Sequence, residues 1–180
     1  MLTVGDRLPP LVVPVQRGTK GAPADRVIDL GDTRGQWRVL FYWPRDFTFV
    51  CPTEIVAFGS LKAEFAARNA LLLGASTDTA EAHYAWRRSD EQLAAADFPW
   101  IADHERVLAR SLGILDAAEQ VALRATFIVD PAGIIQDVTV NGLNVGRNPH
   151  ETLRVLAAIQ TGEPWPSNWH EGEPTLPRPA

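Results

Sequence analysis

Val39-Leu40-Phe41-Tyr42-Trp43-Pro44-Arg45-Asp46-Phe47-Thr48-Phe49-Val50-Cys51-Pro52-Thr53-Glu54 is the stretch on which the fold turns. Its first five residues are a short, continuous run of β-branched and aromatic side chains, the pattern of a buried strand. Its last four read as a helix start, with Cys51 at the N-cap, Pro52 at the first helical position and Glu54 three residues on. Ile55, Phe58, Leu61 or Lys62, and Phe65 then recur at helical spacing. The chain therefore enters an α/β fold, and its single cysteine sits at the seam between strand and helix.

A thiol at that seam faces unpaired backbone N–H groups and the positive end of the helix dipole, which favour thiolate over thiol. An unperturbed cysteine has a pKa of about 8.5, so a helix N-terminus is a physical route to a nucleophile at neutral pH. Two readings stand on spacing alone. A lone cysteine is more often a small buried hydrophobe than a catalyst, yet N-caps favour Ser, Thr, Asp or Asn over cysteine.

Outward from this stretch, α and β patterns alternate. Residues 11 to 35 are rich in Pro, Gly and charge and read as loops or short edge strands. Leu71-Leu72-Leu73-Gly74-Ala75 is an unalternated apolar run, as in a parallel strand covered on both faces. Asp78 to about Ser89 reads as a helix and His104 to Leu112 as a second, short one. Ala125 to Val129 and Ile134 to Val140 flank Asp130-Pro131-Ala132-Gly133, a turn signal for an antiparallel hairpin. Asn148-Pro149-His150-Glu151 opens a further helix with Leu153, Leu156 and Ile159 inward. Strand, helix, strand, helix, hairpin, helix is the order of a thioredoxin-like fold: a central mixed sheet flanked by helices, here over residues 1–161. Residues 162–180 carry five prolines and several charges and read as a C-terminal tail without a core of its own.

Composition narrows the function classes. A chain of 180 residues, 46% hydrophobic, fits one domain with a single core. Its net charge of −5 and lack of a long basic stretch argue against nucleic-acid or anionic-membrane binding. No apolar run approaches the ~20 residues of a membrane span, and Met1-Leu2-Thr3-Val4-Gly5-Asp6 has no signal-peptide character. One cysteine makes no internal disulfide, so the cytoplasm is the default compartment. His83, His104, His150 and His170 lack metal-ligand spacing and read as surface or helix-face residues. A Cys–His hydrolase would need His83 near Cys51 and a third, orienting group. A dithiol motif is excluded, because Glu54 stands where Cys-x-x-Cys needs its second thiol. Trp37, Trp43 and Trp100 read as packing residues, and Trp165 and Trp169 as anchors for the tail.

Pro44-x-x-x-Thr48-x-x-Cys51, and the run Phe-Thr-Phe-Val-Cys-Pro-Thr-Glu at 47 to 54, resemble the active-site pattern of the peroxiredoxins. The likeness is to the branch holding typical two-cysteine members and the alkyl hydroperoxide reductase C component. Arg124 heads Arg-Ala-Thr-Phe-Ile-Val-Asp as the family's active-site arginine does, and Gly146-Arg147-Asn148 resembles the segment with its second arginine. His83-Tyr84-Ala85-Trp86 resembles the helix ending in the pocket tryptophan, and Asn168-Trp169 with the following Gly-Glu-Pro-Thr resembles the tail. These matches run from about Gly5 to Leu176.

The resemblance implies a thiol peroxidase with Cys51 as nucleophile and no metal or organic cofactor. Arg124 would supply positive charge beside the sulfur and a hydrogen bond to the peroxide. Thr48 would orient the peroxide through its hydroxyl, and Pro44 would wall the pocket without a competing N–H. Glu54 would orient Arg124 and Arg147, or act as a capping-box residue, or both. Trp86 would border the pocket. A homodimer is implied, and a ring of five dimers is open.

One departure changes the expected chemistry. Typical two-cysteine relatives carry a resolving cysteine in the tail, where this chain reads Pro164-Trp165-Pro166-Ser167-Asn168-Trp169, with Trp165 in its place. A sulfenic acid on Cys51 then needs an external thiol, of the glutathione, mycothiol, glutaredoxin or thioredoxin class. The competing expectation is a redox sensor or holdase chaperone in which Cys51 reacts once and alters assembly.

Overall fold

Side chains of the strand Trp37–Tyr42 and the following Trp43 divide cleanly between two faces, as the period of a pleated strand requires. Leu40 and Tyr42 enter one apolar cluster; Val39, Phe41 and Trp43 enter another. Every residue from Val39 to Trp43 is fully buried, so this strand is covered on both sides. The computed structural model describes residues 1–19, 26–32 and 34–178.

Along the chain the elements are β1 (Val12–Gln16), β2 (Arg26–Asp29), β3 (Trp37–Tyr42), α1 (Cys51–Ser60), α2 (Lys62–Ala67), β4 (Ala70–Ser76), α3 (Ala80–Ser89), α4 (Glu91–Ala95), β5 (Trp100–Ala102), α5 (Val107–Leu112), β6 (Arg124–Val129), β7 (Ile135–Asn141) and α6 (Pro149–Thr161). The strands form one sheet in the order β2-β1-β5-β4-β3-β6-β7. β3, β4 and β5 are parallel, whereas β6 and β7 on one side and β1 and β2 on the other are antiparallel additions. This is the expected mixed sheet, with an edge hairpin built from the Pro- and Gly-rich N-terminal segment.

One face of the sheet packs α5 through Leu108 and Leu112. The other packs Ile55 and Phe58 of α1, Phe65 of α2, Trp86 of α3 and Leu156 of α6. Burial of a side chain such as Phe58, fully enclosed and stacked on Phe41 at 4.0 Å, contributes roughly 2–3 kcal/mol. Gly74 of β4 is required at its position, because a Cβ there would lie 2.6 Å from Trp43 Cζ3 and 2.9 Å from Phe98 Cε2.

Several local expectations need correction. The apolar spacing from Ile55 to Phe65 reads as one helix but is broken at Leu61, where φ and ψ of −96° and 9° depart from α geometry, leaving α1 and α2. The helix expected from His104 starts only at Val107, because Arg106 adopts left-handed φ 61°. The helix expected from Asp78 starts at Ala80, with Thr79 as its cap. The short β5 and α4 lacked enough residues for a periodic signal. The hairpin turn is as expected, with the Gly133 N–H bonded to the Asp130 carbonyl at 2.9 Å and Gly133 at φ 85°.

The tail does pack. Trp169 is buried against Ala157 and Ala158 on α6, and its indole N–H donates to the Glu173 carbonyl at 3.0 Å. Arg154 donates to the Trp169 carbonyl at 2.9 Å and lies over the Trp165 ring. Both tryptophans thus anchor the tail to its own chain.

Candidate active site

β3 delivers the chain to the C-terminal edge of the sheet, loop 44–50 turns it, and α1 carries it back. Cys51 is the first residue of α1, not its cap: Val50 holds the cap position in α geometry, makes no side-chain cap bond, and leaves Pro52 second. The expected capping box does not form, because Glu54 turns its carboxylate away from the helix start toward two arginines.

Those arginines come from distant elements. Arg124, at the head of β6, donates from Nη1 to Glu54 Oε2 at 2.5 Å and to Cys51 Sγ at 3.4 Å, and from Nε to the Leu143 carbonyl at 2.7 Å. Arg147, in the loop before α6, reaches Glu54 Oε1 from Nε at 2.8 Å and Oε2 from Nη2 at 3.1 Å. Its backbone N–H adds a bond to Oε1 at 2.8 Å, and Nη1 donates to the Ala125 carbonyl at 2.6 Å. Glu54 therefore holds both guanidinium groups in fixed orientation. All three side chains are buried.

The electrostatics follow from that burial. Desolvation pushes Glu54 upward, but the hydrogen bonds and charge of Arg147, then the charge of Arg124, outweigh it and hold the carboxyl below the ordinary glutamate value. Arg147 is lowered by desolvation, against the opposing pull of Glu54. Three ionised groups share the space, with Cys51 Sγ at its edge.

Cys51 itself is 0% exposed. Trp86 is buried in the same apolar cluster as Cys51 and packs on Phe47 with ring centroids 5.8 Å apart. Pro44 is buried at the base of the loop. Thr48 is half-buried, and its hydroxyl donates to the Arg45 carbonyl at 3.1 Å; among the described residues it makes no bond to Cys51 or Arg124. The structure thus brings Cys51, Glu54, Arg124 and Arg147 together, while Pro44, Thr48 and Trp86 border the loop that leads to them.

His83 corrects an expectation. It is fully buried rather than surface-facing; its Nδ1 lies 2.7 Å from Asp46 Oδ2 and its Nε2 lies 3.1 Å from the Ile101 carbonyl, so both ring nitrogens are engaged away from Cys51 and neither serves it as a base in this conformation. Its companion on α3, Arg87, is also buried, stacked over Trp100 at 3.8 Å, and lowered by burial to about 10, so it stays charged at neutral pH. The signal for both lies in helical spacing: Ala80, His83, Trp86 and Arg87 form one buried face.

Known proteins share this sequence and architecture. Residues 4–138 match the AhpC/TSA family. Alkyl hydroperoxide reductase C of Mycolicibacterium smegmatis is 42% identical over 184 residues, which covers 98% of this chain and 94% of that protein. The structure of Mycobacterium bovis AhpC superposes with a TM-score of 0.85 at 42% identity, covering 94% of this chain and 99% of the other. A reduced two-cysteine peroxiredoxin of Plasmodium vivax superposes with a TM-score of 0.88 at 30% identity, covering 96% and 92%. A mixed sheet with one cysteine at a strand-to-helix seam, beside two arginines, defines a thiol site on a thioredoxin-like fold. The chain belongs to the AhpC/TSA family of peroxiredoxins, and its sequence holds one cysteine, with none at the resolving position.

Proposed function

We propose that this peroxiredoxin reduces hydrogen peroxide and small alkyl hydroperoxides through Cys51 and an external thiol. The observation that carries the reading is Arg124 Nη1, held by Glu54 at 3.4 Å from Cys51 Sγ. A permanent positive charge there stabilises negative charge on sulfur and, during attack, on the oxygens of the peroxide.

In the reaction the Cys51 thiolate attacks one peroxide oxygen in line with the O–O bond. The S–O bond forms, the O–O bond breaks, and two electrons pass from sulfur to the leaving oxygen, which takes a proton and departs as ROH. Sulfur remains as sulfenic acid. One donor thiol condenses with it, releasing water and leaving a mixed disulfide. A second donor thiol then frees Cys51 and leaves as the donor disulfide. Arg124 bonds the peroxide, Thr48 orients it, Pro44 keeps water and competing N–H groups away, and Glu54 with Arg147 fixes Arg124. Because Cys51 is enclosed, a small oxidant reaches it by displacement of the exposed side chains of Phe47 and Phe49.

The one-cysteine course is supported by the tail. Trp165, at the resolving position, lies against Arg154 on α6 of its own chain. We also propose self-association as a homodimer, with a ring of dimers as the larger assembly, because Phe47, Phe49 and Val145 expose apolar surface around the site. Cytoplasmic residence accords with the absence, among the described residues, of any helix long and apolar enough to cross a membrane.

The test is stopped-flow tryptophan fluorescence of the reduced protein mixed with hydrogen peroxide, with dimedone trapping and intact mass. A fast change with one trapped sulfenic acid at Cys51, absent in Cys51→Ser, is expected, followed by many turnovers with a thiol donor. A reaction no faster than that of a free thiol overturns the reading. A single reaction without turnover, accompanied by a change in assembly size, replaces the peroxidase with a sensor.

A further inference from the structure

Loop 44–50 carries the approach to Cys51. Phe47 stands at φ 55°, in the left-handed region that a bulky aromatic residue rarely occupies. Its residue surface is 60% exposed, so burial of its own ring does not account for that backbone. Such a conformation persists only where the surroundings over-determine it.

The surroundings do so at the residue before it. The Asp46 N–H donates to Asp78 Oδ2 at 2.9 Å, and Asp78 Oδ2 also accepts from Ser76 Oγ at 2.7 Å. Asp46 Oδ1 accepts the Trp43 indole N–H at 2.8 Å. Asp46 Oδ2 meets His83 Nδ1 at 2.7 Å, and His83 Nε2 lies 3.1 Å from the Ile101 carbonyl. A carbonyl only accepts, so Nε2 carries a proton, and a second proton lies between Nδ1 and Asp46 Oδ2. Both members of this pair are enclosed, with side chains 0% and 1% exposed. Almost one turn along α3, Trp86 packs on Phe47. One face of α3 therefore grips two consecutive loop residues, and β5 grips the histidine from behind.

We propose that His83 is a positioning residue for the peroxidatic site: acting through Asp46, it holds loop 44–50 in the strained turn that shapes the approach to Cys51. The inference rests on the reading of Cys51 as the peroxidatic residue. His83 touches neither sulfur nor peroxide in this role. Its anchor, the Ile101 carbonyl, belongs to β5 inside the sheet, so the loop is referenced to the core of the fold. A histidine that merely filled the core would stabilise the fold without setting the rate of peroxide attack.

The test compares two reactions of the same thiol in the full chain: oxidation by hydrogen peroxide, read by stopped-flow fluorescence with dimedone trapping, and alkylation by iodoacetamide. In His83→Ala, under conditions where circular dichroism shows it folded, peroxide oxidation falls by at least about tenfold while alkylation holds or rises. His83→Gln restores one donor to Asp46 and recovers part of the rate. Oxidation within about twofold of wild type in folded His83→Ala overturns the inference, as does an equal fall in both reactions, which reports a less reactive thiol rather than a misplaced loop. If the variants do not fold, solvent exchange of the His83 ring N–H protons in the wild type decides, because these make the bonds to Asp46 and Ile101. Ring N–H resonances that persist against exchange show the grip, and resonances lost to exchange as in an exposed imidazole overturn it. A wild type that forms no sulfenic acid sinks the peroxidase reading instead, and the exchange measurement still judges the grip.

Discussion

A single nitrogen of Arg124 serves two acceptors: Nη1 lies 2.5 Å from Glu54 Oε2 and 3.4 Å from Cys51 Sγ. The charge offered to the sulfur is therefore aimed by the carboxylate, while Nε, bonded to the Leu143 carbonyl at 2.7 Å, fixes the plane of the guanidinium. Arg124→Lys keeps the charge but lacks this second point of attachment. The expected outcome is a folded protein whose oxidation by hydrogen peroxide is slowed roughly 10²-fold, the typical cost of losing one donor aimed at developing charge. Stopped-flow oxidation rates check it, and a rate near that of wild type would show that charge alone suffices.

Glu54→Gln removes the partner of two buried arginines at once. Breaking a buried ion pair from one side costs about 3–5 kcal/mol, because the remaining charge stays in the interior without compensation. Urea unfolding at neutral pH should show a loss of that order, together with slower peroxide oxidation because Arg124 is no longer aimed.

The same carboxylate sets a pH dependence. The folded-state value of Glu54 lies below its unfolded value, since Arg147 and Arg124 outweigh the upward effect of burial. Its stabilisation is then fully present above about pH 4.3, the unfolded glutamate value, and is lost as pH falls through the lower folded value. The stability gap between wild type and Glu54→Gln should narrow as urea titrations are carried down through that window. A gap that stays constant would mean that the pair does not ionise as described.

Gly74 links the core to the loop. A Cβ at this position would press on Trp43, and the Trp43 indole N–H is one of the three bonds at Asp46. Gly74→Ala is expected to destabilise the protein by about 1–3 kcal/mol, the usual cost of overpacking. It should also slow Cys51 oxidation, because Trp43 shifts with the loop. Thermal unfolding and stopped-flow oxidation on the same sample check both, and a stability loss without a rate change would separate the core from the loop.

What the sequence reveals of this architecture depends on how locally each feature is encoded. The buried parallel strands, the β6–β7 hairpin and the Asn148 cap of α6 are legible because an apolar run, a turn tetrapeptide or a capping residue lies within a few positions. The break at Leu61 is not, because the apolar spacing runs through it, and the nearest glycine, Gly59, lies within α1 rather than at the break. Cys51, Arg124 and Arg147 are legible through a motif resemblance, and their meeting at Glu54 follows from the topology that sets β6 beside β3. Of the two roles open to Glu54, the structure shows the bonds to the arginines and not the capping box, since two guanidinium groups from elsewhere in the fold compete better for a buried carboxylate than one backbone N–H does. The burial of His83 is not legible from the spacing of the histidines, because a lone histidine on a helix reads as surface unless its face is tested for burial. Its partners, Asp46 and Ile101, lie 37 and 18 positions away.

The tail offers the sharpest separation of stability from chemistry. Trp169 buries its ring on Ala157 and Ala158 and donates to the Glu173 carbonyl, and Arg154 closes the contact by donating to the Trp169 carbonyl. None of these residues contacts the Cys51, Glu54, Arg124 and Arg147 group. Trp169→Ala removes a large buried side chain, but from a satellite cluster that can partly collapse, so about 2–3 kcal/mol of destabilisation is expected, below the full 3–5 kcal/mol of a core position. Because the one-cysteine course asks nothing of the tail in the oxidation step, the rate of Cys51 sulfenic acid formation should stay within about twofold of wild type, well short of the tenfold that 1.4 kcal/mol in a barrier produces. Urea unfolding and dimedone-trapping rates measured together decide the matter. A large fall in the trapping rate with the fold intact would mean that the docked tail shapes the site, and Trp165, seated beside Trp169 on α6, would be the residue to follow.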